Sequence, residues 1–219
     1  MKRLAALLCA LALLCPCVAR AEFAVHHGDR SQKRVCVTVD DCADTEMLRA
    51  IFELGQEQEV PITFFTLGYV IKEEDAPLWR QIAQSDCEIG NHGYYHKSLP
   101  KLKHAEMVKN LTDMQQRLNE VLGFDYPVRV MRPPYGAVRL GKESNLPVVK
   151  GAKAAGYEHA ILWDVSQTDA QKCLPEVQNG SILLFHTLKK DLECLRELLP
   201  ALKEQGYEFV TVSDMLQTL

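Results

Sequence analysis

Val35-Cys36-Val37-Thr38-Val39-Asp40-Asp41 is the stretch of sequence that decides how this chain folds. Its first five residues are mostly β-branched, which is typical of a short buried strand. Residues 45–59 follow with apolar side chains at roughly helical spacing. Together the two segments predict one strand-then-helix unit, with two carboxylates at the carboxyl end of the strand.

The same unit recurs along the rest of the chain. We predict further strands at 62–66, 88–89, 128–131, 159–163, 182–185 and 208–212, and further helices at 76–84, 103–122, 147–155 and 191–204. Alternating strands and helices predict an α/β fold with a mainly parallel sheet covered by helices. About seven such units suit a closed or nearly closed barrel, and an open doubly wound sheet is the alternative.

The first 21 residues differ from the rest of the chain. Lys2 and Arg3 precede an unbroken apolar run over 4–14, and Ala19-Arg20-Ala21 then offers a small-x-small cleavage site. This pattern predicts a secretory signal peptide over 1–21 and a single catalytic domain over 22–219. The run is well short of the roughly 20 apolar residues of a spanning helix. We therefore expect export to the periplasm or the outside of the cell, without stable membrane insertion.

The charge of the chain argues against a nucleic-acid partner. The formal net charge is -4, and removal of residues 1–21 takes away three positive and no negative charges, which moves it to -7. A negative surface repels polyanions in general, although net charge alone does not define a ligand.

Eight cysteines are present, and five of them lie after residue 21: Cys36, Cys42, Cys87, Cys173 and Cys194. An odd number leaves at least one thiol unpaired. Export permits disulfides, and Cys173 with Cys194 is the pairing that we favour. Cys36 lies inside an apolar strand, where a buried thiol is expected.

Five polar clusters follow predicted strands, at 40–41, 91–96, 132–136, 164–169 and 186. In a barrel and in an open sheet alike, the functional face lies beyond the carboxyl ends of the strands. We therefore expect these clusters to meet at one site.

Two of these clusters have the composition of a metal site. Asp40 and Asp41 repel each other unless a cation or a shared proton relieves the repulsion, although Asp41 or Asp44 could simply cap the next helix. His92 and His96 are four residues apart, a spacing that brings two imidazoles to one side of a helical turn, but a lone pair of this kind is often structural. Two histidines with one carboxylate leave open positions for water and substrate, which favours a catalytic ion.

The next clusters offer a charge, a turn and an acid. Arg132-Pro133-Pro134-Tyr135-Gly136 places a fixed positive charge before a stiff turn that can present a backbone N–H, and an ordinary Pro-Gly loop is the alternative. His186 ends an apolar strand and is a candidate general acid. Trp163 fits a core position. The remaining histidines fit solvated or structural positions: His26, His27, His104 and His159.

Taken in chain order, the clusters resemble the motifs of the NodB-like polysaccharide deacetylases, also called carbohydrate esterase family four. Residues 38–42 resemble the family's TFDDG motif, 88–96 its EIGNH(S/T)xxH segment, and 132–136 its third motif. Residues 163–169 resemble the fourth motif, with Asp169 in the place of the final aspartate, and 184–186 match the LxH of the fifth. The resemblance extends from about Val35 to the C-terminus.

The resemblance implies a distorted barrel of the NodB type and a hydrolase acting on carbon-nitrogen bonds. Its substrate would be an N-acetylated glycan such as peptidoglycan, a chitin-like polymer or poly-N-acetylglucosamine. Asp41, His92 and His96 would bind zinc, or another divalent transition metal such as cobalt or nickel. Asp40 would be the general base.

The resemblance also implies roles for the remaining clusters. His186 would protonate the departing amine, and the backbone N–H of Tyr135 would help to stabilise the oxyanion. Arg132 would hold Asp40 in place. Asp169 would support both Arg132 and His186.

Three residues depart from the family pattern. Cys42 replaces the glycine after the two aspartates, and Gly93 replaces a small hydroxyl residue whose hydrogen bond steadies the histidine segment. The aromatic residue that commonly follows the fourth-motif aspartate is Ala170. With Leu184 and Tyr135 lining the substrate pocket, one wall of that pocket is then open or supplied elsewhere.

Two other functions keep the same residues. The motifs do not separate amides from esters, so an O-acetyl esterase acting on xylan-type polymers is one alternative. A non-catalytic carbohydrate-binding relative is the other, suggested by the three departures. Retention of Asp40 and His186 counts against the second alternative, because a binding protein needs neither a proton acceptor nor a proton donor. A domain stapled by disulfides is disfavoured, since a chain of this length can build its own core.

Overall fold

The computed structural model describes residues 23–217, so the predicted signal peptide lies outside the described residues. The strands are β1 Ala24–Val25, β2 Arg34–Asp41, β3 Ile62–Thr66, β4 Glu88–Asn91, β5 Ala160–Ile161, β6 Ser181–His186 and β7 Glu208–Phe209. The α-helices are α1 Thr45–Glu57, α2 Ala76–Ala83, α3 His104–Leu122, α4 Leu146–Ala154, α5 Ala170–Cys173, α6 Lys189–Glu204 and α7 Val212–Leu216. Short 3-10 turns lie at Gly68–Val70, Glu73–Asp75, Leu99–Lys101, Pro134–Gly136 and Leu174–Glu176.

The main sheet is parallel and is built around β2. Its order is β4-β3-β2-β6, and β7 pairs with the first two residues of β2. Asp40 is opposite Phe65 on β3 and opposite His186 on β6. The register therefore places the end of β2 directly beside His186.

Single-residue bridges close this sheet into a ring. Met131 bridges Asn91 of β4 on one side and Ala160 of β5 on the other, and Val165 then bridges Leu183 of β6. The parallel strands thus form a distorted barrel with helices outside, which confirms the predicted barrel and excludes the open sheet.

Residues alternate between the two sides of β2, as a strand requires. Val35, Val37 and Val39 are buried in the large core cluster that also contains the apolar faces of α1, α2 and α6. Cys36 belongs to a second cluster with Phe65 and other residues. Asp40 shares the parity of Cys36 and Thr38, so this alternation turns it away from the helix layer.

Three predicted strands are shorter than expected, and one of them, 159–163, contributes only Ala160–Ile161. Residues 128–131 contribute only the bridge at Met131, because Pro127 and Pro133 bracket the segment and cannot donate to a ladder. Residues 208–212 contribute two strand residues, since Thr211 caps α7 by accepting a hydrogen bond from the backbone N–H of Asp214. The other predicted strands and helices are present with shifts of a few residues at their ends.

All five cysteines of the described part are free and buried. The favoured pairing of Cys173 with Cys194 is therefore not formed, although each thiol shifts the pKa of the other across the contact between α5 and α6. Burial raises the pKa of the Cys36 and Cys42 thiols well above the ordinary value, so both are protonated and unreactive.

Among residues 23–217, no helix has the length and apolar character needed to cross a membrane.

Candidate metal centre and active site

Asp41, His92 and His96 meet at the carboxyl end of the parallel strands. Nε2 of each histidine lies 3.5 Å from Oδ1 of Asp41, and one ligand atom from each of the three side chains fits within 4.8 Å of the others. Oδ1 of Asp41 is buried and has no hydrogen-bond partner. A buried carboxylate oxygen without a donor is costly, and a divalent cation between two imidazoles would satisfy it. The residues present therefore fit a metal ion.

The backbone at the end of β2 has an unusual conformation. Asp41 and Cys42 both have positive φ, at 66° and 55°, although neither is glycine. Such conformations cost energy and are often found at functional sites. The turn ends the strand abruptly, leaving Asp40 buried and Asp41 part-exposed.

The ring of His92 is held in one orientation. Its Nδ1 lies 2.8 Å from the backbone oxygen of Arg132, so Nδ1 carries the proton and Nε2 keeps a lone pair for an ion. Burial lowers the pKa of His92, while the carboxylates of Asp40 and Asp41 oppose this shift. Burial thus favours the neutral imidazole, which is the form that binds metal.

Arg132 is fully buried and holds Asp40, as predicted. Its Nη1 donates to Oδ1 of Asp40 at 2.6 Å and to Oγ1 of Thr38 at 2.7 Å, while its other nitrogens donate to the backbone oxygens of Ile161 and Leu162. The guanidinium therefore links β2 to the last residue of β5 and to the residue that follows it. Oδ2 of Asp40 remains on the side of His92, 3.8 Å from its Nε2.

The turn that bears the two histidines is braced from inside. Asn91 is buried, and its Nδ2 donates to the backbone oxygen of Leu111 and to Oη of Tyr157, both at 2.8 Å. Its Oδ1 accepts from the backbone N–H of Gly93 at 2.7 Å. Burial raises the pKa of Tyr157 to about 12, so this hydroxyl stays protonated.

Asn110 on α3 is a supporting residue that sequence reasoning missed. Its backbone oxygen accepts from the N–H of Tyr94 at 2.7 Å, and its Oδ1 accepts from the N–H of Tyr95 at 2.9 Å. Asn110 therefore supplies two hydrogen bonds to the histidine segment. Gly93, which lies in the same segment, has no hydroxyl group and cannot form the side-chain hydrogen bond of the family pattern. The available signal was one polar residue on the buried face of α3, beside Met107 and Leu111.

Tyr135 lies at the rim of the site. It has a positive φ of 64° and a side chain that is 68% exposed. Its ring centroid is 4.3 Å from that of His96, and its Oη lies 3.4 Å from the backbone oxygen of His96. Trp163 covers the other side of the turn and the guanidinium of Arg132, which agrees with its expected packing role.

His186 is accompanied by Asp191, a second residue that sequence reasoning missed. His186 is 41% exposed, and its Nδ1 lies 3.9 Å from Oδ2 of the fully buried Asp191. The same Oδ2 accepts from the backbone N–H of His186 at 2.8 Å, while Oδ1 has no partner. Burial raises the pKa of Asp191, and the hydrogen bond from His186 opposes that shift. In the sequence, Asp191 looks like an ordinary acidic residue in the first turn of a helix.

Asp169 does not have the expected contacts with Arg132 and His186. Its Oδ1 accepts from the backbone N–H groups of Gln171 and Lys172, so it caps α5 instead. The helix cap satisfies the carboxylate locally and removes the need for a distant cation. Leu184 lies two residues before His186 on β6, so both face the same side of the sheet.

Residues 27–160 match the family model described as polysaccharide deacetylase. The peptidoglycan-N-acetylglucosamine deacetylase PgdA of Listeria monocytogenes is 27% identical over 198 residues, which are 85% of this chain and 39% of PgdA. A peptidoglycan-N-acetylglucosamine deacetylase of Bacillus cereus is 28% identical over 206 residues, covering 85% of this chain and 90% of that protein. This chain therefore spans about two fifths of the length of PgdA.

The fold is shared with solved structures. A CE4 family pseudoenzyme from Bacillus anthracis is similar with a TM-score of 0.77 and 26% identity, over 88% of this chain and 68% of that one. Since the family model covers more than half of the sequence and the barrel is that of the CE4 domains, the chain belongs to the polysaccharide deacetylase family.

Proposed function

We propose that this chain is a divalent-metal-dependent hydrolase that removes N-acetyl groups from an N-acetylated glycan. The observation that supports this most is the position of Asp41, His92 and His96 within 4.8 Å of one another, beside an aspartate held by a buried arginine. A protein that only binds a glycan does not need an aspartate held in this position, because it transfers no proton. The Listeria and Bacillus relatives named above are peptidoglycan deacetylases, which makes peptidoglycan the first substrate to test.

Asp41, His92 and His96 would hold the ion, which we propose to be zinc or another divalent transition metal such as cobalt or nickel. The chemistry available from such an ion is polarisation of the acetyl carbonyl and a lower pKa of water. Nε2 of His92 suits this role because Nδ1 is already engaged by the backbone oxygen of Arg132. Asp41 would contribute Oδ1, the buried oxygen without a donor.

Asp40 would be the general base. Arg132 occupies Oδ1 of Asp40, which leaves Oδ2 to take a proton from water as its oxygen attacks the acetyl carbon. Because Arg132 and Thr38 are buried with it, the carboxylate cannot rotate away without breaking a strong charge-assisted hydrogen bond.

His186 would act as the acid that completes the reaction. When the carbon-nitrogen bond breaks, acetate leaves and the amine nitrogen needs a proton, which a partly exposed imidazole can donate. The backbone N–H of Tyr135 would donate to the oxyanion from the opposite rim, and Leu184 with the Tyr135 ring would contact the acetyl group. Asp191 takes the supporting position that we had expected for Asp169.

Residues 22–219 would form the catalytic domain, and residues 1–21 would direct export to the periplasm or the outside of the cell. This location agrees with the glycans named for the relatives. A mass spectrum of the protein secreted by its host, beginning after Ala21, would test the assignment.

The test of function is acetate release by the zinc-loaded protein, with a chelated control. The substrates are N-acetylglucosamine oligomers and peptidoglycan, with O-acetylated xylan as the ester. We expect chelator-sensitive release from the amides. Release from xylan alone would support an O-acetyl esterase, and no release with zinc bound would support a non-catalytic protein like the pseudoenzyme from Bacillus anthracis.

Matched variants separate the proposed roles. Asp41→Ala and His92→Ala should lose zinc, whereas Asp40→Asn should retain zinc and lose turnover by about a hundredfold or more. His186→Ala should fold, bind zinc and turn over slowly. Normal zinc binding by Asp41→Ala would contradict the ligand set, and full activity of His186→Ala would remove it from the acid role.

A further inference from the structure

We propose that the cavity beside His96 is a subsite for an acidic glycan, so that carboxylate-bearing sugars are bound on the His96 side of the site. The subsite deepens the proposed function, since it concerns which glycan is presented to the same catalytic residues. It rests on the position, charge and unpaired state of two lysines.

The cavity adjoins the metal centre. Its volume is about 540 Å³, and its walls are His96, Lys97, Ser98, Lys101, Leu102 and Tyr135. A space of this size is within the ordinary range for small-molecule and sugar ligands. Because His96 and Tyr135 belong also to the candidate active site, a glycan in this cavity is continuous with the sugar that reacts.

Two cations in the walls have no acidic partner. Lys97 and Lys101 are exposed, and neither forms an ion pair within the described part of the chain. Nζ of Lys97 lies 5.2 Å from the centroid of the Tyr95 ring, which keeps the ammonium near the rim of the cavity. No residue in the walls is acidic, so the charged side chains that line the cavity are both cations.

A second cavity, between α5 and α6, has the reverse character. This cavity of about 390 Å³ at the start of α6 is lined by Asp169, Glu193 and Glu197, with Lys190 as its cation. A carboxylate on the glycan would be repelled there. In a chain whose formal charge is negative, the cavity beside His96 is therefore the one of these two cavities that favours a carboxylate.

Carboxylates on an N-acetylated glycan come from two chemical sources. One is the lactyl ether of N-acetylmuramic acid, and the other is the ring carboxylate of a uronic acid. The probes are therefore an alternating N-acetylglucosamine–N-acetylmuramic acid oligomer, hyaluronan oligomers and, as the neutral reference, N-acetylglucosamine hexamer.

The test compares the double variant Lys97→Ala/Lys101→Ala with a control, Lys109→Ala/Lys153→Ala, which removes two surface lysines that are paired elsewhere. The quantity measured is the ratio of kcat/KM on each acidic glycan to kcat/KM on the hexamer, at low and high salt. We expect the first variant to lower this ratio about tenfold on one acidic glycan, the effect of losing two exposed ion pairs. High salt should lower the wild-type ratio in the same direction.

The acidic glycan on which the ratio falls identifies the source of the carboxylate. Equal ratios for the two double variants on both acidic glycans would overturn the subsite. An equal loss on acidic and neutral glycans would do so as well, since it would point to a role without charge recognition.

Failure of the proposed function gives a different result. In that case no variant releases acetate from any glycan, and the subsite is tested by the affinities of the wild type and both double variants for the same three oligomers. Tighter binding of an acidic oligomer by the wild type, lost only in Lys97→Ala/Lys101→Ala, supports the subsite. Equal affinity of the wild type for acidic and neutral oligomers overturns it.

Discussion

At the scale of the residue, Cys42 occupies a backbone conformation that side chains disfavour. Cys42 has a φ of 55°, and Asp41 before it has a φ of 66°. Two consecutive residues are therefore in the left-handed conformation, which raises the free energy of the folded state. For a non-glycine residue that cost is about 1–2 kcal/mol. The thiol is buried and its Sγ lies 3.9 Å from the backbone oxygen of Val39, which recovers part of the cost through packing.

Substitutions at Cys42 should respond to backbone shape more than to burial. We expect Cys42→Gly to stay within about 1 kcal/mol of the wild type in free energy of unfolding. Cys42→Val should be less stable by about 2 kcal/mol, because β-branched residues are outliers at positive φ. Urea unfolding of the metal-free proteins measures both. Equal stability of Cys42→Val and the wild type would show that the conformation does not limit this position.

The sequence motifs predicted that Asp41, His92 and His96 would lie together at one site, and the structure brings the three side chains within 4.8 Å of one another. Spacing and residue type were sufficient because each lies at the end of a strand in a parallel sheet. Asn110 and Asp191 could not be predicted in the same way. Each supports the site through a contact between elements, and its local sequence is that of an ordinary helix residue.

At the scale of the element, the histidine turn is fitted to α3 through Gly93. Its φ is 83°, and a Cβ there would lie 2.4 Å from Nδ2 of Asn110. A residue with a side chain at this position would have a disfavoured backbone conformation, and its Cβ would collide with Asn110. The glycine that departs from the family pattern is thus required by Asn110.

Gly93→Ser should weaken zinc binding by tenfold or more, because the turn that places His92 and His96 must move. Gly156→Ser is the matched control: its φ is 95°, and nothing lies within 4 Å of its Cβ position. Zinc titration of both variants separates the collision from the effect of φ. Equal zinc affinity of the two variants would contradict the role of Asn110.

Glu88 couples β4 to α7 at the other end of the barrel. It is buried, and its carboxylate accepts from Oγ and the backbone N–H of Ser213 and from Oγ1 of Thr63. Burial raises its pKa above the ordinary value of 4.5, although these hydrogen bonds oppose the shift. A carboxyl whose pKa is raised by folding contributes its stability below the unfolded pKa and loses it as the pH rises through the folded pKa.

Glu88→Gln should therefore gain stability relative to the wild type as the pH rises above about 4.5. Urea unfolding at pH 4 and pH 7 measures the difference. Glu197→Gln, at an exposed position on α6, controls for the loss of one negative charge. A gap between Glu88→Gln and the wild type that is independent of pH would contradict the raised pKa, because it would show that the hydrogen bonds cancel the effect of burial.

The elements themselves were largely predictable. β3 has its predicted bounds, and the long helices differ by one or two residues at their ends. Two of the three shortened strands, 128–131 and 208–212, lie where prolines or a helix cap prevent the hydrogen bonds of a strand. Hydrophobic runs indicate burial, and neighbouring donors decide whether a ladder forms.

At the scale of the whole molecule, the candidate metal centre joins distant parts of the chain. Asp41 ends β2, and both histidines follow β4. An ion that binds only the folded form stabilises it by mass action, by about 2.7 kcal/mol at a free concentration one hundred times Kd.

Zinc should raise the denaturation midpoint of the wild type, and a chelator should reverse the rise. His92→Ala should show neither effect, since the ligand set is then incomplete. Denaturant unfolding with and without zinc checks this without any turnover. An equal rise in His92→Ala would place the stabilising ion elsewhere.

The single-residue bridges that close the barrel also have a consequence for how the molecule comes apart. Met131 is held between β4 and β5 by one bridge on each side, and the next residue is Arg132, which holds Asp40. This seam has far fewer backbone hydrogen bonds than the sheet around β2, so it belongs to the parts of a protein that open first. When this seam opens, the guanidinium of Arg132 separates from Asp40, while most of the secondary structure remains folded. Loss of activity on warming should then precede loss of the fold, and amide exchange should be faster at this seam than in the sheet around β2.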